Sequence, residues 1–321
     1  TLHRERLQRY FLFVACDPDV ASALQAKDRF EAFARHRGLP VPAALAWHGE
    51  GPGTVRGTRG AVLVKPSNKV DWNHSALCRQ LFGGDGKALA FASGAEAAAH
   101  PLVAASHGQL TFQEYVPGGD RDHWSFHGFA DEHGEVLACF VGRKVRSWPA
   151  VTGESAFIEI AHDDGLEAAG LEAARRCPLK GFFKIDFKRD AASGRWLLLE
   201  INARCNLWHY LAAANGLNLM RIAYDYLVDG ARPPARRPGT RYRWLALGLD
   251  WRAGRSLAAR GELTRARWAW SVLASRNVYS VFAWSDPGPW SRLWTRRIGR
   301  RIGRGPTRMA AAFRQWRSTA S

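Results

Sequence analysis

From Ala21 the chain reads ALQAKDRFEAFARHRG, with apolar residues three and four apart and Gly38 behind a basic last turn, the spacing of an amphipathic helix. GLPVP follows, and Pro40 and Pro42 force an extended segment. AVLVK (61–65) is a short buried-strand pattern that delivers a lysine at its end. The alanine-rich GAEAAAHPLVAAS predicts helix interrupted at Pro101, and QLTFQEYV (109–116) predicts a strand. HWSFHGFAD and VLACFVGRKV flank the turn EHGE as a hairpin, and DGLEAAGLEAARRC is an amphipathic helix closing at Cys177. FFKIDFKRD and RWLLLEINA form a second hairpin around AASG, before two helices, NLWHYLAAANG and NLMRIAYDYLVDG, the latter stopped by Gly230. Beyond the proline-rich ARPPARRPG, helical stretches are expected around Arg255–Ser275 and Ser291–Gln315, with SDPGP between them. This order of elements predicts α+β lobes built on antiparallel sheets rather than a doubly wound parallel sheet.

Composition changes the picture at one end only. The 321 residues suit two or three lobes, and 46% hydrophobic residues suffice for a sizeable core. The net charge of +17 is concentrated after Arg232: residues 233–321 hold 19 arginines, no lysine, three acids and eight of the 14 tryptophans. The first 232 residues are close to neutral and read as an enzyme body. No run of about 18 apolar residues signals a transmembrane helix, and TLHRERLQRY has no apolar signal-peptide core, so the expected location is cytoplasmic. Five cysteines without a CxxC pair predict neither a disulfide framework nor a zinc site.

The candidate chemistry lies in KIDFKRDAASGRWLLLEINAR (184–204). Two strands joined by a tight turn can bring Asp186 and Glu200 to one side, and Glu200 and Asn202, two apart on a strand, share a face. These oxygen donors suit Mg²⁺ held by carboxylates together with phosphates, with Mn²⁺ as the alternative ion. Arg204 repeats the two-residue step and is the candidate for a transferring phosphoryl group. The competing reading is a solvated hairpin face. LFGGDGKAL (81–89) is glycine-rich without the context of a phosphate-binding loop, and His123, His127 and His133 have no metal-ligand spacing. Cys205, beside Arg204, has no sequence-local base and reads as a packed thiol.

EINAR after an apolar strand, with an Asp on the strand before, resembles the metal-binding end of ATP-grasp enzymes. Lys65 resembles that family's nucleotide-phosphate lysine. QEYVPGGD is similar to its adenine hinge, where the resemblance implies contacts from Gln113, Glu114, Tyr115 and Val116, with Asp120 on the ribose. RKVRSWPAVTGES resembles the basic strand and glycine-containing loop over the phosphates, with Lys144 as a phosphate contact and, with Arg204, a catalytic candidate. AKDRF followed by GLPVP is similar to the entry helix, where Lys27 would approach the phosphates. These motifs follow the family's order from Lys27 to Gly230. Together they carry what no single one does.

The R-K-x-R…P…G-E-S pattern and the Trp-rich tail with its late DPGP resemble the carboxylate–amine ligase, D-aspartate-ligase-like branch. That resemblance implies ATP and Mg²⁺ as cofactors and a small carboxylate and an amine as substrates, joined through an acyl phosphate. A phosphoryl transferase with another acceptor, or a binding protein on a degenerate scaffold, would leave the same motifs. The expected layout is 1–26 as a remnant of a preceding lobe, 27–117 as a small lobe, 118–232 as a large lobe with the Mg²⁺ site, and 233–321 as a basic helical extension. Three readings of that extension stay open: packing on the body, peripheral contact with an anionic membrane on its inner face, or nucleic acid.

Overall fold

In the computed structural model the described residues are 3–25, 27–49, 54–57, 60–67, 76–82 and 87–302. The glycine-rich turn after Phe82 and the tail beyond Ile302, with Trp316, lie outside them. The chain divides into two compact units, Thr1–Asn277 and Val278–Ser321.

The first unit holds two antiparallel sheets. One is ordered β2–β1–β5–β3–β4, from β1 (Ala44–His48), β2 (Thr54–Arg56), β3 (Val62–Pro66), β4 (Leu89–Phe91) and β5 (Leu110–Glu114). The other is ordered β10–β9–β6–β7–β8–β11, from β6 (His123–Ala130), β7 (Val136–Trp148), β8 (Glu154–Ile160), β9 (Gly181–Arg189), β10 (Trp196–Asn202) and β11 (Tyr242–Leu245). A further short strand, β12 (Arg276–Tyr279), spans the division between the units.

Alternation decides which face of the large sheet is dry. On β9, Phe183, Ile185 and Phe187 enter the core, while Lys184, Asp186 and Lys188 point to the opposite face. Phe126, Val141, Leu198 and Ile201 from neighbouring strands join that core. The helices Pro18–Gln25, Lys27–His36 and Asp164–Arg176 cover it with Val20, Phe30, Ala34, Leu166, Ala173 and Ala174. Each buried Phe or Leu there contributes about 1.5–3 kcal/mol. A second core lies under the small sheet, where Val62, Val64, Leu110 and Phe112 meet Leu81, Phe82 and Val103.

The interrupted helix is two helices, Gly94–Ala99 and Pro101–Ser106, because Pro101 has no N–H to continue the first and is well suited to start the second. The helix Asp164–Arg176 starts where Asp163 accepts the Leu166 N–H at 2.8 Å and ends at Cys177. Gly230 ends the helix Leu219–Asp229 with φ of 67°, a left-handed conformation that glycine adopts freely.

Residues 233–277 differ from a purely helical appendage. β11 pairs with β8, placing Trp244 opposite Ile158, and Asn215 holds the strand by exchanging hydrogen bonds with the backbone of Tyr242 at 2.9 and 3.0 Å. Arg237 binds Asp164 and Glu167 at 2.6 and 3.1 Å, and Arg243 binds Glu159 at 3.1 Å. Local periodicity does not reveal that β8 has a free edge for these residues to fill. The helical region expected at Arg255–Ser275 is two helices, Leu247–Ala259 and Arg265–Leu273, broken at Gly261 (φ 75°).

Candidate active site

The hairpin β9–β10 builds the acidic corner. Asp186 lies directly opposite Glu200, and Lys184 directly opposite Asn202. A register shift between Leu198 and Glu200 keeps both features, the Leu198 side chain in the core and Glu200 on the polar face. The Asn202 side-chain amide donates to Glu200 Oε1 at 2.8 Å, and its Oδ1 accepts from Arg204 at 3.3 Å. The expected quartet of Asp186, Glu200, Asn202 and Arg204 is therefore contiguous.

Lysines surround Asp186. Lys184 Nζ lies 2.8 Å from Asp186 Oδ1, and Ser125 Oγ on the adjacent β6 donates to the same oxygen at 2.6 Å. Burial would raise this carboxyl, but Lys184 and Lys144, with the two hydrogen bonds, outweigh it and hold it below the ordinary carboxylate range. Burial pushes the Lys144 ammonium down to about 8 against the pull of Asp186. A cluster of half-buried cations around one half-buried carboxylate favours anion binding, since screening is weaker there than in open water.

Lys65 extends from the small sheet and donates to Gln113 Oε1 at 2.6 Å. Burial holds its pKa below the ordinary lysine value against the opposing charge of Glu200, so the lysine of one sheet lies in the field of the acidic corner of the other.

At the hinge, Tyr115 N–H donates to Ala61 O at 2.9 Å and Glu114 N–H to Ala43 O at 2.8 Å. The Val116 carbonyl accepts from Lys188 Nζ at 2.7 Å, and Lys188 lies 4.8 Å from the Tyr115 ring centroid. Glu114, Tyr115 and Val116 line a cleft of about 340 Å³ with Pro40, Pro42, Asp190 and Arg195, a space whose walls do not include Lys144, Asp186 or Glu200.

Asp120, the expected ribose contact, also holds a loop in place. Its two oxygens accept the backbone N–H groups of Ser147 at 2.8 Å and Val151 at 2.7 Å, tying down the loop between β7 and β8. Val151 has φ of 67°, a conformation costly for a β-branched residue, and the Asp120 contact helps hold it there. Lys27 opens the helix Lys27–His36, but its side chain lies outside the described residues.

Lys184, Lys188 and Ser125 belong to this face without having been singled out from the sequence, and His123, weighed there only as a metal ligand, joins them. The available signal was the two-residue alternation with Asp186 on β9 and its continuation onto β6. His123 Nε2 is buried without a hydrogen-bond partner among the described residues, and burial, with the three lysines, pushes this ring down to about 2. Cys205 is exposed rather than packed, beside Met220 Sδ at 3.9 Å, and partial desolvation raises its pKa, which disfavours the thiolate.

The two carboxylates and the amide oxygen fit a hard divalent cation, which is held by one or two carboxylates when phosphates supply the other ligands. Two antiparallel sheets, with a cation cluster on the polar face of the larger, give a face suited to phosphate.

No family model matches the chain. It is 25% identical over 235 residues to a D-aspartate ligase of Enterococcus faecium, covering 70% of this chain and 54% of that protein. Among solved structures it resembles a biotin carboxylase–βγ-ATP complex from Campylobacter jejuni, at 13% identity and a TM-score of 0.51, covering 73% of this chain and 52% of that one. It also resembles the N5-carboxyaminoimidazole synthase of Aspergillus clavatus in complex with ADP and its ribonucleotide, at 10% identity and 0.51, covering 75% and 61%. The chain thus spans about half the length of the curated relative it matches. The chain's fold is the ATP-grasp fold, and its sequence likeness is to a D-aspartate ligase.

Proposed function

We propose that the protein is an ATP-dependent carboxylate–amine ligase. The observation that carries this is the Asp186–Glu200 cross-strand pair, ringed by Lys144 and Lys184 and acting on Lys65 across the two sheets.

In this reading ATP lies between the sheets with its phosphates toward Lys65 and Lys144. Asp186, Glu200 and Asn202 would hold Mg²⁺, or Mn²⁺ in its place, which supplies charge neutralisation on the phosphates. Lys144 and Arg204 offset the charge that develops as a substrate carboxylate oxygen attacks the γ-phosphorus and ADP leaves. An amine then attacks the acyl carbon of the acyl phosphate, inorganic phosphate departs, and the amine loses a proton. The protein's contribution is positioning and fixed positive charge, because phosphoryl transfer demands little covalent help. The loop between β7 and β8 covers the phosphates, Asp120 meets the ribose, and Gln113, Glu114, Tyr115 and Val116 meet the base.

No helix among the described residues is long and apolar enough to cross a membrane. The need for ATP puts the catalytic body on the cytoplasmic side, and the basic C-terminal region makes peripheral contact with an anionic membrane there.

The test is ADP release from purified protein supplied with MgATP and panels of amino acids as carboxylate and amine. The reading requires release that depends on both partners and is lost in Glu200→Ala. Release with a single hydroxyl acceptor and no amine would instead make it a phosphoryl transferase.

A further inference from the structure

The C-terminal basic region is not one surface. Its first part is committed to the body: Arg237, Arg243 and Asp250 are engaged with Asp164, Glu159 and Arg146. The second compact unit, Val278–Ser321, has a different character. Its sequence holds nine arginines, no lysine and one acid, Asp286. The described part carries an aromatic ridge. Phe282 meets the edge of Trp284 at 4.8 Å and of Trp290 at 5.7 Å, and Trp290 lies 5.9 Å from Trp294. Among the described residues nothing covers the ridge: Trp284 is 89% exposed, and Val281, Trp290, Leu293 and Trp294 are exposed as well.

Trp290, Leu293 and Trp294 recur at three- and four-residue steps along the helix Gly288–Ile302, so they share one side, while Arg292 stands between those steps and is exposed. We propose that this unit is a lipid-binding module. The aromatic ridge enters the headgroup–acyl boundary of an anionic membrane, and Arg292 beside it pairs with a lipid phosphate. It deepens the peripheral contact proposed above, confining it to residues 278–321, and stands independently of the ligase reading.

Two physical arguments favour lipid. Indole rings with an apolar body and one N–H donor settle at the membrane interface, where one side is apolar and the other wet. The excess of arginine over acid matches an anionic leaflet, each basic residue near the surface contributing about 1 kcal/mol. Nucleic acid would take the arginines and stack on the indoles, but it has no use for the aliphatic Val281 and Leu293 exposed among them.

The experiment is co-sedimentation of the full chain with phosphatidylglycerol vesicles and with neutral phosphatidylcholine vesicles, alongside tryptophan emission and quenching by brominated lipid. The expected result is binding to the anionic vesicles, a blue shift and quenching. Arg292→Gln should weaken affinity about fivefold. Trp284→Ala with Trp290→Ala and Trp294→Ala should abolish the blue shift and quenching of the bound state. Deletion of 278–321 should remove binding, while a retained ATP-induced thermal shift shows that the body is intact and that the ligase reading is judged separately. If that deletion unfolds the body, the point variants decide. Binding that survives the deletion, adsorption with no spectral change, or tighter binding to a DNA or RNA duplex than to vesicles at the same salt would overturn the proposal.

Discussion

Asp250 receives both arms of the Arg146 guanidinium, at 2.6 and 2.9 Å, entirely inside the protein and 104 residues away in sequence. Trp268 Nε1 donates to the same carboxylate at 2.8 Å, and the guanidinium carbon lies 4.7 Å from the Phe157 ring centroid. Arg146 is two residues from Lys144 on β7, so this pair fixes the helix Leu247–Ala259 against the strand that carries a candidate phosphate ligand.

Removing one partner strands the other's charge in a dry site. Asp250→Ala should cost about 3–5 kcal/mol, whereas Arg146→Met combined with Asp250→Leu should recover much of that loss. Urea melts of the three proteins check this. A single variant as stable as wild type would show that the pair is not isolated from water.

Gly170 lies in the middle of the helix Asp164–Arg176, where a Cβ would come 2.2 Å from Cγ of the fully buried Phe126. Alanine would gain about 1 kcal/mol in helix propensity, but the ring has no room to retreat. Gly170→Ala should therefore lower stability by about 1–3 kcal/mol in thermal or urea melts, a sign opposite to that at an exposed helical glycine.

His209 gives a pH dependence whose direction follows from burial. Its ring is pushed down to about 4, and Asn206 Nδ2 lies 3.0 Å from its Nε2 and 3.3 Å from His127 Nδ1. The folded state keeps the ring neutral while the unfolded ring titrates near 6.5, so stability holds above that pH and falls as pH drops toward 4. The loss is up to about 3 kcal/mol. Melts between pH 7 and pH 4 should show this fall, made shallower, not abolished, in His209→Gln, because His127 titrates in the same direction.

The acidic corner predicts a separation of binding from turnover. Glu200→Ala should reduce ADP release by about a hundredfold or more while leaving the fold intact, since Glu200 is exposed. Ser125→Ala removes one hydrogen bond to Asp186 and should cost about tenfold. Chelation by EDTA should suppress the ATP-induced thermal shift of the wild type. Unaltered turnover in Glu200→Ala would remove this corner from the mechanism.

Much was legible in the sequence because it is encoded locally. Two-residue alternation in KIDFKRD and from Glu200 to Asn202 marked the polar positions, but the register shift after Leu198 that sets Glu200 opposite Asp186 was not legible. Gly38, Pro101 and Gly230 marked ends that the helices respect, since their backbone preferences act within a few residues. The same alternation contained Lys184 and Lys188, and it was under-read there because a lysine on a strand face is ordinarily solvated. Other features depend on what meets across space. Asp120 is a loop anchor only because Ser147 and Val151 return to it, and Lys65 senses Glu200 only because the fold brings strands of the two sheets near each other. Arg146 finds Asp250, and Tyr242–Leu245 becomes a strand, because β8 presents an open edge to a segment with no strong pattern of its own. Periodicity reports which side of an element is apolar. Which partner that side or its opposite will meet is decided by chain topology, and only the folded molecule contains that.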